Sequence, residues 1–476
     1  MRNIIFFKTR KIICFSDRQK SFSKYLCTPI SKKGMKKLFL CGLLLLSLLV
    51  SCSKDSDTDG PTPGTTSYRH TLIIYMSAQN SLGYQGASYM DSVEIARGSM
   101  SLKSTSDNIL FYLDDAQKPR IYRLYKKDAN NAYIQKVKQF DTDLDSSDPA
   151  TLTTVLNFAA TNYSSKSYGL VLWSHGLGWL PDIADLYSET ARSKSFYSTQ
   201  SFGVDVGEGG DMSQDLNAQG KLGRQMGIDE LASAIETSKV HPTYVFFDAC
   251  LMQCTEVAYA LRNATDYIIG SPAVTSGYGI YYADMIPNGF FAYPFTQDSI
   301  SKMVDTYYYD VMENTSTKRY YSGTGCIMSA IKTSEMENLA KATAIVLPYA
   351  VKNGQSPDMT DVCHYNNFAK TSYPHFYDAA CAMKQLLPDS LYQTWRQQLN
   401  KAVVYKVGSP TFYDYDVNGH IYTTNLDQDN YCALSLFIPQ DTYTLYYQLN
   451  HNYGNLNKLF QSTQWYTAAK WSQTGW

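Results

Sequence analysis

Two side chains that can do covalent chemistry, His175 and Cys250, each follow a short apolar run that is typical of a buried strand. The runs cover residues 168–173 and 244–248. The carboxyl ends of parallel strands meet at one edge of an α/β sheet, and ligands bind at that edge. A thiol beside an imidazole is the minimum for thiol-based nucleophilic catalysis, in which the imidazole takes the thiol proton. The pattern therefore predicts a catalytic pair.

The backbone around this pair suits the binding of an oxyanion. Gly176, directly after the histidine, lacks a Cβ, so its N–H group can approach a reacting atom closely. We predict that the N–H groups of Gly176 and Cys250 form an oxyanion hole. The segment after Cys250, up to Arg262, has the apolar spacing of a helix, and the N-terminus of such a helix would favour a thiolate.

Other interpretations of the same residues are open. A cysteine after a strand is often a small packed side chain, and a histidine is often a hydrogen-bonded structural residue. Cys250 and Cys254 could instead form a disulfide, or bind zinc together with His175 and Asp248. No Cys-x-x-Cys or His-x-x-x-His pair supports a metal cage, so we predict no metal site here.

The elements that must position these residues alternate along the chain. Strands are predicted at 72–76 and 108–113 with a helix at 85–97 between them, followed by a hairpin at 119–139 and a helix from Pro149. This alternation predicts an α/β fold, with a mostly parallel sheet sandwiched by helices. Beyond residue 300 the pattern is mainly helical, with helices predicted at 302–313, 334–352 and 381–406 and one strand at 326–331.

The composition is that of a globular chain without a charge for nucleic acid. The 476 residues are 44% hydrophobic and carry a formal net charge of −1. A net charge close to zero gives no sign of a basic surface that could bind a phosphate backbone, so no nucleic-acid partner is expected. The 40 tyrosines suit an exported surface protein or a binder of peptide or glycan.

Residues 181–227 lack periodicity and are rich in Ser, Gly, Gln and Asp. They predict a long exposed insertion beside the site, which serves either as a lid or as a cleavage region. Its carboxylates could ligate calcium, although their spacing does not follow an EF-hand loop. No cofactor is expected to be required.

The first 67 residues are predicted to precede the folded domain. Residues 35–51 combine two lysines with an apolar core and end in Leu-Val-Ser before Cys52, which resembles a bacterial lipobox. The resemblance implies a signal peptide cleaved before Cys52 and acylation of that thiol. Residues 52–67 would then be a flexible tether, similar to the acidic segment of surface lipoproteins of Bacteroidetes. Residues 1–34 are interpreted as an over-extended gene start or an unusual leader.

The strand-His-Gly-x-Gly-Trp motif at 168–179 and the strand-Asp-Ala-Cys-Leu-Met motif at 244–252 resemble those of the clostripain family of cysteine peptidases. The likeness runs from about Thr71 to Trp471 and includes the segments 71–82 and 433–439. It implies a caspase-like fold, with a catalytic domain at 68–300 and a C-terminal part at 301–476 that completes it. The family's dyad falls on His175 and Cys250, and its acidic residue falls on Asp248.

The chain departs from the family pattern in two places. Ser174 and Leu177 stand where family members commonly have Asp and Gly. The stretch 270–279 contains no acidic residue, whereas members often carry acids there. These departures concern the specificity pocket rather than the dyad.

The resemblance implies an exported cysteine endopeptidase, lipid-anchored in the cell envelope at the outer-membrane surface. It would cleave peptides or proteins after Arg or Lys, with Asp248 as the cation-binding wall. It also implies activation by self-cleavage within 181–227, where the basic residues are Arg192, Lys194, Lys221 and Arg224 and where neighbouring glycines favour the last two. The alternative from another class is a non-catalytic surface lipoprotein that binds peptide or glycan.

Overall fold

The structure, a computed structural model, describes residues 67–128, 131–180, 202–317, 321, 323–352, 354–365, 374–415, 421–443 and 455–476. The predictions for residues 1–66, which include the signal peptide, most of the tether and Cys52, lie outside the described residues. The same holds for Arg192 and Lys194 and for the first part of the predicted insertion, residues 181–201.

The described strands, in chain order, are β1 (His70–Ser77), β2 (Asp107–Asp114), β3 (Arg120–Lys126), β4 (Ala132–Gln139), β5 (Tyr168–Trp173), β6 (Phe202–Asp205), β7 (Arg224–Met226), β8 (Tyr244–Asp248), β9 (Tyr267–Gly270), β10 (Ile327–Lys332), β11 (Tyr377–Asp378), β12 (Val403–Gly408), β13 (Thr411–Tyr415), β14 (Ile421–Asn425) and β15 (Ser435–Leu436). Nine of them form one sheet in the order β12-β10-β9-β8-β5-β1-β2-β3-β4. The five central strands, β9 to β2, are parallel. Two further strands lie at each edge, and each of these pairs antiparallel with its neighbour on the side of the centre. The predicted mostly parallel α/β sheet is confirmed.

The helices are α1 (Ser81–Tyr84), α2 (Ala87–Met100), α3 (Pro149–Asn162), α4 (Ile228–Glu236), α5 (Thr255–Ala260), α6 (Tyr282–Met285), α7 (Gln297–Met312), α8 (Met336–Ala350), α9 (Ala379–Leu386), α10 (Asp389–Ala402), α11 (Leu456–Phe460) and α12 (Gln464–Ala468). They cover both faces of the sheet. In β1, for example, Ile73 and Tyr75 pack towards α3, α4 and α8, whereas Leu72 and Ile74 pack towards α2 and α7. Because both faces are covered, the central strands are apolar throughout rather than alternating.

Local sequence accounts for several helix ends. The Asp148 carboxylate accepts a hydrogen bond from the Ala150 N–H at 2.8 Å, and Pro149 occupies the first helical position of α3, as predicted. The prediction of one helix over 381–406 is wrong. It is divided into α9 and α10 because Pro388 lacks an N–H group and restricts Leu387, and its last residues form β12.

The C-terminal part completes the central sheet, because β10 and β12 add two strands to its edge. Asp378, a buried residue at the N-cap of α9, joins segments of the C-terminal part to one another. Its carboxylate accepts hydrogen bonds from the N–H groups of Cys432 and Ala433 and from the Tyr365 hydroxyl. Five donors in all, with Ala380 and Cys381, bind this one carboxylate and fix β15 beside α9.

The prediction that residues 181–227 form an exposed insertion is wrong for residues 202–206 and 225–227, which are buried, whereas residues 207–222 are exposed or half-buried. Strands β6 and β7 pair with each other, and Phe202 and Met226 are fully buried. The Val206 N–H donates to the Gln79 carbonyl at 3.0 Å. The segment folds onto the domain because its few apolar residues fill the core beside β1 and β5, a pattern too short to show as periodicity.

None of the helices in the described part of the chain is long and apolar enough to span a bilayer.

Candidate active site

His175 and Cys250 reach the same edge of the sheet because β5 and β8 are parallel neighbours. Their register pairs Trp173 with Asp248, and each candidate residue lies two positions beyond its strand's member of that pair. The Ser174 N–H donates to the Asp248 carbonyl at 3.4 Å, which extends the ladder past the end of β5. The two candidates therefore leave the sheet at the same height.

Gly176 makes the close approach of the two strand ends possible. A Cβ atom at this position would lie 2.4 Å from the Cys250 carbonyl oxygen and 3.0 Å from the Met252 side chain. Contacts this short exclude any residue with a side chain unless the backbone moves. The position predicted for an oxyanion-hole donor thus lies directly against the backbone of Cys250.

The thiol of Cys250 is half-buried and faces Thr275. The Thr275 N–H donates to the sulfur at 3.3 Å, and the Thr275 hydroxyl lies 3.5 Å from it. The thiol in turn can donate to the Thr275 carbonyl, whose oxygen lies 3.9 Å from the sulfur. Leu251, the next residue, has a left-handed backbone with φ of 63°, and this sharp bend turns the chain away behind the thiol.

The prediction that a helix N-terminus activates Cys250 is wrong. Helix α5 begins only at Thr255, so the thiol lies outside its first turn, and the donors to the sulfur come from Thr275 instead. Cys254 is buried at the start of α5 and is not joined to Cys250 by a disulfide. Within the described ranges, no group of three or more His, Cys, Asp or Glu side chains could hold a metal ion.

The imidazole of His175 contacts two side chains that sequence reasoning did not identify. Its Nε2 lies 3.0 Å from Ser81 Oγ and 3.7 Å from Asp215 Oδ2. Packing around the ring lowers the pKa of His175, and the negative charge of Asp215 acts against that shift. Ser81 belongs to α1, and Asp215 belongs to the segment between β6 and β7.

Asn80, which is fully buried, fixes the position of Ser81. Its amide oxygen accepts from the N–H groups of Leu82 and Gly83 and caps α1. Its amide nitrogen donates to the hydroxyl of Ser174 at 3.1 Å and to the Val204 carbonyl at 3.0 Å. One side chain therefore connects α1, the end of β5 and strand β6.

Asp248, the predicted cation-binding residue, is only 7% exposed at the end of β8. Its Oδ2 accepts hydrogen bonds from the Tyr282 hydroxyl at 3.0 Å and from the Ile280 N–H at 3.2 Å. Burial raises the pKa of Asp248 to about 7, and these two hydrogen bonds oppose the shift. Gly279, at φ of 60°, brings the backbone of the turn against the carboxylate.

Two further acids from α2 lie close to Asp248. Asp91 accepts a hydrogen bond from the Trp173 indole at 2.7 Å, and Glu94 accepts one from the Tyr282 N–H at 3.2 Å. Burial raises the pKa of Asp91 well above its usual range, with the charge of Asp248 adding to the effect. Burial likewise raises the pKa of Glu94 to about 7. In the described chain, no Lys or Arg side chain forms an ion pair with any of the three.

A small pocket lies beside Thr275, the residue that contacts the Cys250 sulfur. It is lined by Thr275 and Ser276 from the loop after β9, by Tyr307 from α7 and by Cys326 just before β10. Its wall is mainly hydroxyl groups and small side chains without charge. No charged side chain is among the described residues that line it.

Of the predicted site residues, the structure brings His175, Gly176, Cys250 and Asp248 together at one edge of the sheet. Lys221 and Arg224 lie in the segment after β6. Sequence reasoning missed Ser81, Thr275, Asp215 and the two acids of α2. Only Ser81 had a signal, because it lies in the segment 71–82 that carries the family resemblance.

The family model described as the clostripain family, Peptidase_C11, matches residues 74–476. The chain is also similar in fold to an X-ray structure of a secreted C11 cysteine protease from Bacteroides thetaiotaomicron in complex with an irreversible peptide inhibitor, at 24% identity and a TM-score of 0.65, covering 85% of this chain and 99% of that one. The same values describe its likeness to an inactive zymogen C11 protease from Parabacteroides distasonis. No curated protein matches the chain significantly.

Gly176→Ala should disrupt the site without unfolding the domain. The added methyl group must displace the Cys250 carbonyl, and a misplacement of about 1 Å can lower the rate of a catalysed reaction about 10²-fold. Peptide hydrolysis and the thermal unfolding midpoint would be measured together. Gly277→Ala is the matched control, because a Cβ there meets only the Leu82 side chain at 4.0 Å. Equal activity of both variants would contradict the assignment.

Proposed function

The chain belongs to the clostripain family of cysteine peptidases and is a cysteine endopeptidase, and we propose that Cys250 is its nucleophile and His175 its base. The observation that carries this proposal is the register of β5 and β8, which delivers the two side chains to one sheet edge. The contacts of the Cys250 sulfur with Thr275 add support, because they hold the thiol in one position at this edge. Family membership favours this function over a non-catalytic binding protein.

The proposed reaction is acyl transfer. The Cys250 thiol gives its proton to His175, and the sulfur electron pair forms a bond to the scissile carbonyl carbon while the C=O π electrons move to oxygen. The carbonyl re-forms as the C–N bond breaks, and the amine leaves with the proton from His175. Water, deprotonated by His175, then attacks the thioester and releases Cys250.

We propose that the N–H groups of Gly176 and Cys250 bind the oxyanion of the tetrahedral intermediates. The support is steric, since Gly176 packs directly against the Cys250 backbone. Such donors act in a fixed geometry and need no reorganisation during the reaction. We also propose that no cofactor is required, and hydrolysis in EDTA compared with hydrolysis in added Ca²⁺ tests this.

We propose a preference for Arg or Lys before the scissile bond, with Asp248 as the residue that selects the cation. The stretch 270–279 contains no acid, but Asp91 and Glu94 lie beside Asp248, and a bound cation would favour the ionised form of these carboxyl groups. Asp91 and Asp248 are buried and Glu94 is half-buried, and none of them has an ion-paired base in the described chain, so together they form a site that a guanidinium or ammonium group would fit. This set replaces the acids that family members carry after the following strand.

We propose that the mature enzyme is exported and lipid-anchored through Cys52 at the outer-membrane surface. The lipobox-like ending of 35–51 supports this, and a protein of similar fold is described as secreted. Mass spectrometry of the mature protein should find an acylated N-terminal Cys52, and an unmodified N-terminus would contradict the anchor.

Self-cleavage within 181–227 is also proposed, and one protein of similar fold is described as an inactive zymogen. Of the two described candidates, Lys221 is exposed and follows Gly220 in a turn closed by Asn217. Arg224 is held in β7 and forms ion pairs with Asp145 and Asp148 at 3.3 and 2.9 Å. Because a segment must be exposed and must open locally before a peptidase can bind it, the turn at Lys221 is favoured over Arg224, which strand pairing and two ion pairs hold in place.

Cys250→Ala and His175→Ala should each lower peptide hydrolysis by about 10⁴-fold or more, and the double variant should lose no more than either single variant, because the two residues act as one unit. Turnover is measured with a peptide mixture, and thermal unfolding reports folding. Normal turnover by Cys250→Ala would rule out the proposed nucleophile.

The preference for arginine should increase as the pH rises through about 7. Burial raises the pKa of Asp248 to about 7, so its carboxyl group is neutral at lower pH and becomes a carboxylate above that value. We expect the ratio of kcat/KM for an Arg peptide to that for its neutral citrulline analogue to increase between about pH 6 and 8.

Asp248→Asn tests whether this ratio depends on the charge. A charge-assisted pair contributes roughly 1.5–3 kcal/mol, so the Arg-to-citrulline ratio should fall about 10- to 100-fold, while citrulline hydrolysis changes little. A ratio that stays independent of both pH and the substitution would show that Asp248 only packs.

The purified wild-type chain should be cut, whereas Cys250→Ala should remain intact. Lys221→Gln is compared with Arg224→Gln, a matched removal of one charge in the same segment. We expect Arg224→Gln to be cut as the wild type is, and Lys221→Gln to lose any fragment that ends at residue 221. A Cys250→Ala chain cut at the same rate would show that another protease is responsible. Fragment masses also report any cut at Arg192 or Lys194.

A further inference from the structure

Ser81 and Asp215 form a hydrogen-bonded pair on the side of the His175 ring that carries Nε2. The Ser81 hydroxyl lies 2.7 Å from Asp215 Oδ2 and 3.0 Å from His175 Nε2. The Ser81 N–H also donates to Asp215 Oδ1 at 2.6 Å. Two hydrogen bonds therefore join the serine to the carboxylate, and the Nε2 atom of the ring contacts the serine hydroxyl.

The hydrogen atoms in this cluster determine the tautomer of the imidazole. An ionised carboxylate only accepts hydrogen bonds, so the single hydroxyl hydrogen of Ser81 is donated to Asp215. The Ser81 oxygen can then only accept from the ring, and Nε2 must carry a proton. A neutral imidazole with its proton on Nε2 has its free electron pair on Nδ1.

We propose that Ser81 and Asp215 are positioning residues, which hold His175 with Nε2 protonated so that Nδ1 takes the proton from the Cys250 thiol. The inference rests on the proposed function, since it assumes that Cys250 and His175 are the reacting pair. Neither residue touches the substrate. Their role is to set the orientation and the tautomer of the base.

The charge of Asp215 adds a second effect. When Nδ1 takes the thiol proton the ring becomes an imidazolium, and Asp215 Oδ2 lies 3.7 Å from Nε2. In the described chain, the charged group that acts on this ring is Asp215. Packing favours the neutral ring, so the carboxylate offsets a cost that burial imposes on proton transfer.

The segment between β6 and β7 is built to hold Asp215 in this position. Asp215 has a left-handed backbone with φ of 57°, which Asp and Asn tolerate better than most other residues. Its carbonyl accepts from the Gly223 N–H at 2.8 Å, and isolated bridges join Leu216 to Asp211 and to Leu222. Strain at this residue, held by a closed hairpin, is typical of a functional position.

The test measures the pH dependence of Cys250 alkylation by iodoacetamide and of kcat/KM for a peptide, both on the full chain. Asp215→Asn keeps the left-handed backbone and the size of the side chain but removes the charge. The matched control is Asp211→Asn in the same hairpin, whose carboxylate binds only Ser213 in the described chain.

For Asp215→Asn we expect kcat to fall about 10²-fold, within the range for general acid–base catalysis, with KM unchanged. The removal of the carboxylate lowers the pKa of His175. In the pH profiles of alkylation and of kcat/KM, the limb that depends on His175 should therefore move to lower pH, by roughly 0.5–1 unit. Asp211→Asn should match the wild type. Ser81→Ala should lose a similar factor in kcat with a smaller pH shift, because the charge remains.

The outcomes separate this inference from the proposed function. If the wild type is not alkylated at Cys250, or if Cys250→Ala remains active, the proposed function is wrong. If the wild type behaves as proposed but Asp215→Asn and Ser81→Ala keep its pH profile and kcat, the positioning pair is ruled out. Should Asp215→Asn fail to fold, Ser81→Ala decides alone, because wild-type kcat in that variant overturns the inference.

Discussion

The site depends on one constraint, the parallel pairing of β5 with β8. The pairing of Trp173 with Asp248 sets where both chains leave the sheet, and Gly176 allows their ends to touch. Both strands lie in the middle of nine and are buried on both faces, so neither can slip without opening the core. A close-packed sheet thus pre-organises a pair of residues that are distant in sequence.

The segment after β6 is part of the site rather than an addition to it. Asn80 binds the Ser174 hydroxyl and the Val204 carbonyl, and the Ser174 hydroxyl donates in turn to the Ser77 carbonyl. The Val204 N–H donates to the same hydroxyl at 3.3 Å. This network gives a reason for serine at a position where the family commonly has aspartate, since a carboxylate could not donate to a carbonyl.

Much of the fold was predictable because it depends on local patterns. The strands of the central sheet are apolar runs, α3 begins at an Asp-Pro signal, and the position of His175 and Cys250 at one sheet edge follows from two strand ends. The contacts of Ser81, Thr275 and Asp215 could not be predicted in this way, because each depends on how distant segments pack. The helix at 381–406 was predicted wrongly because a periodic pattern was given more weight than Pro388, and the burial of Phe202 and Met226 has no periodic signal at all.

The position of Asp215 in the chain links the geometry of the base to any cut in the insertion. A cut after Lys221 lies inside the hairpin, between the Asn217 contact and the bridge from Leu216 to Leu222, and would open the structure that holds Asp215. Cuts after Arg192 or Lys194 precede β6 and leave the chain continuous from Asp215 to the nucleophile strand. If Asp215 positions His175, the two kinds of cut have opposite effects. A cut before β6 is compatible with an active enzyme, whereas the proposed self-cleavage after Lys221 would free the carboxylate from the ring, weaken the base and lower the activity rather than raise it.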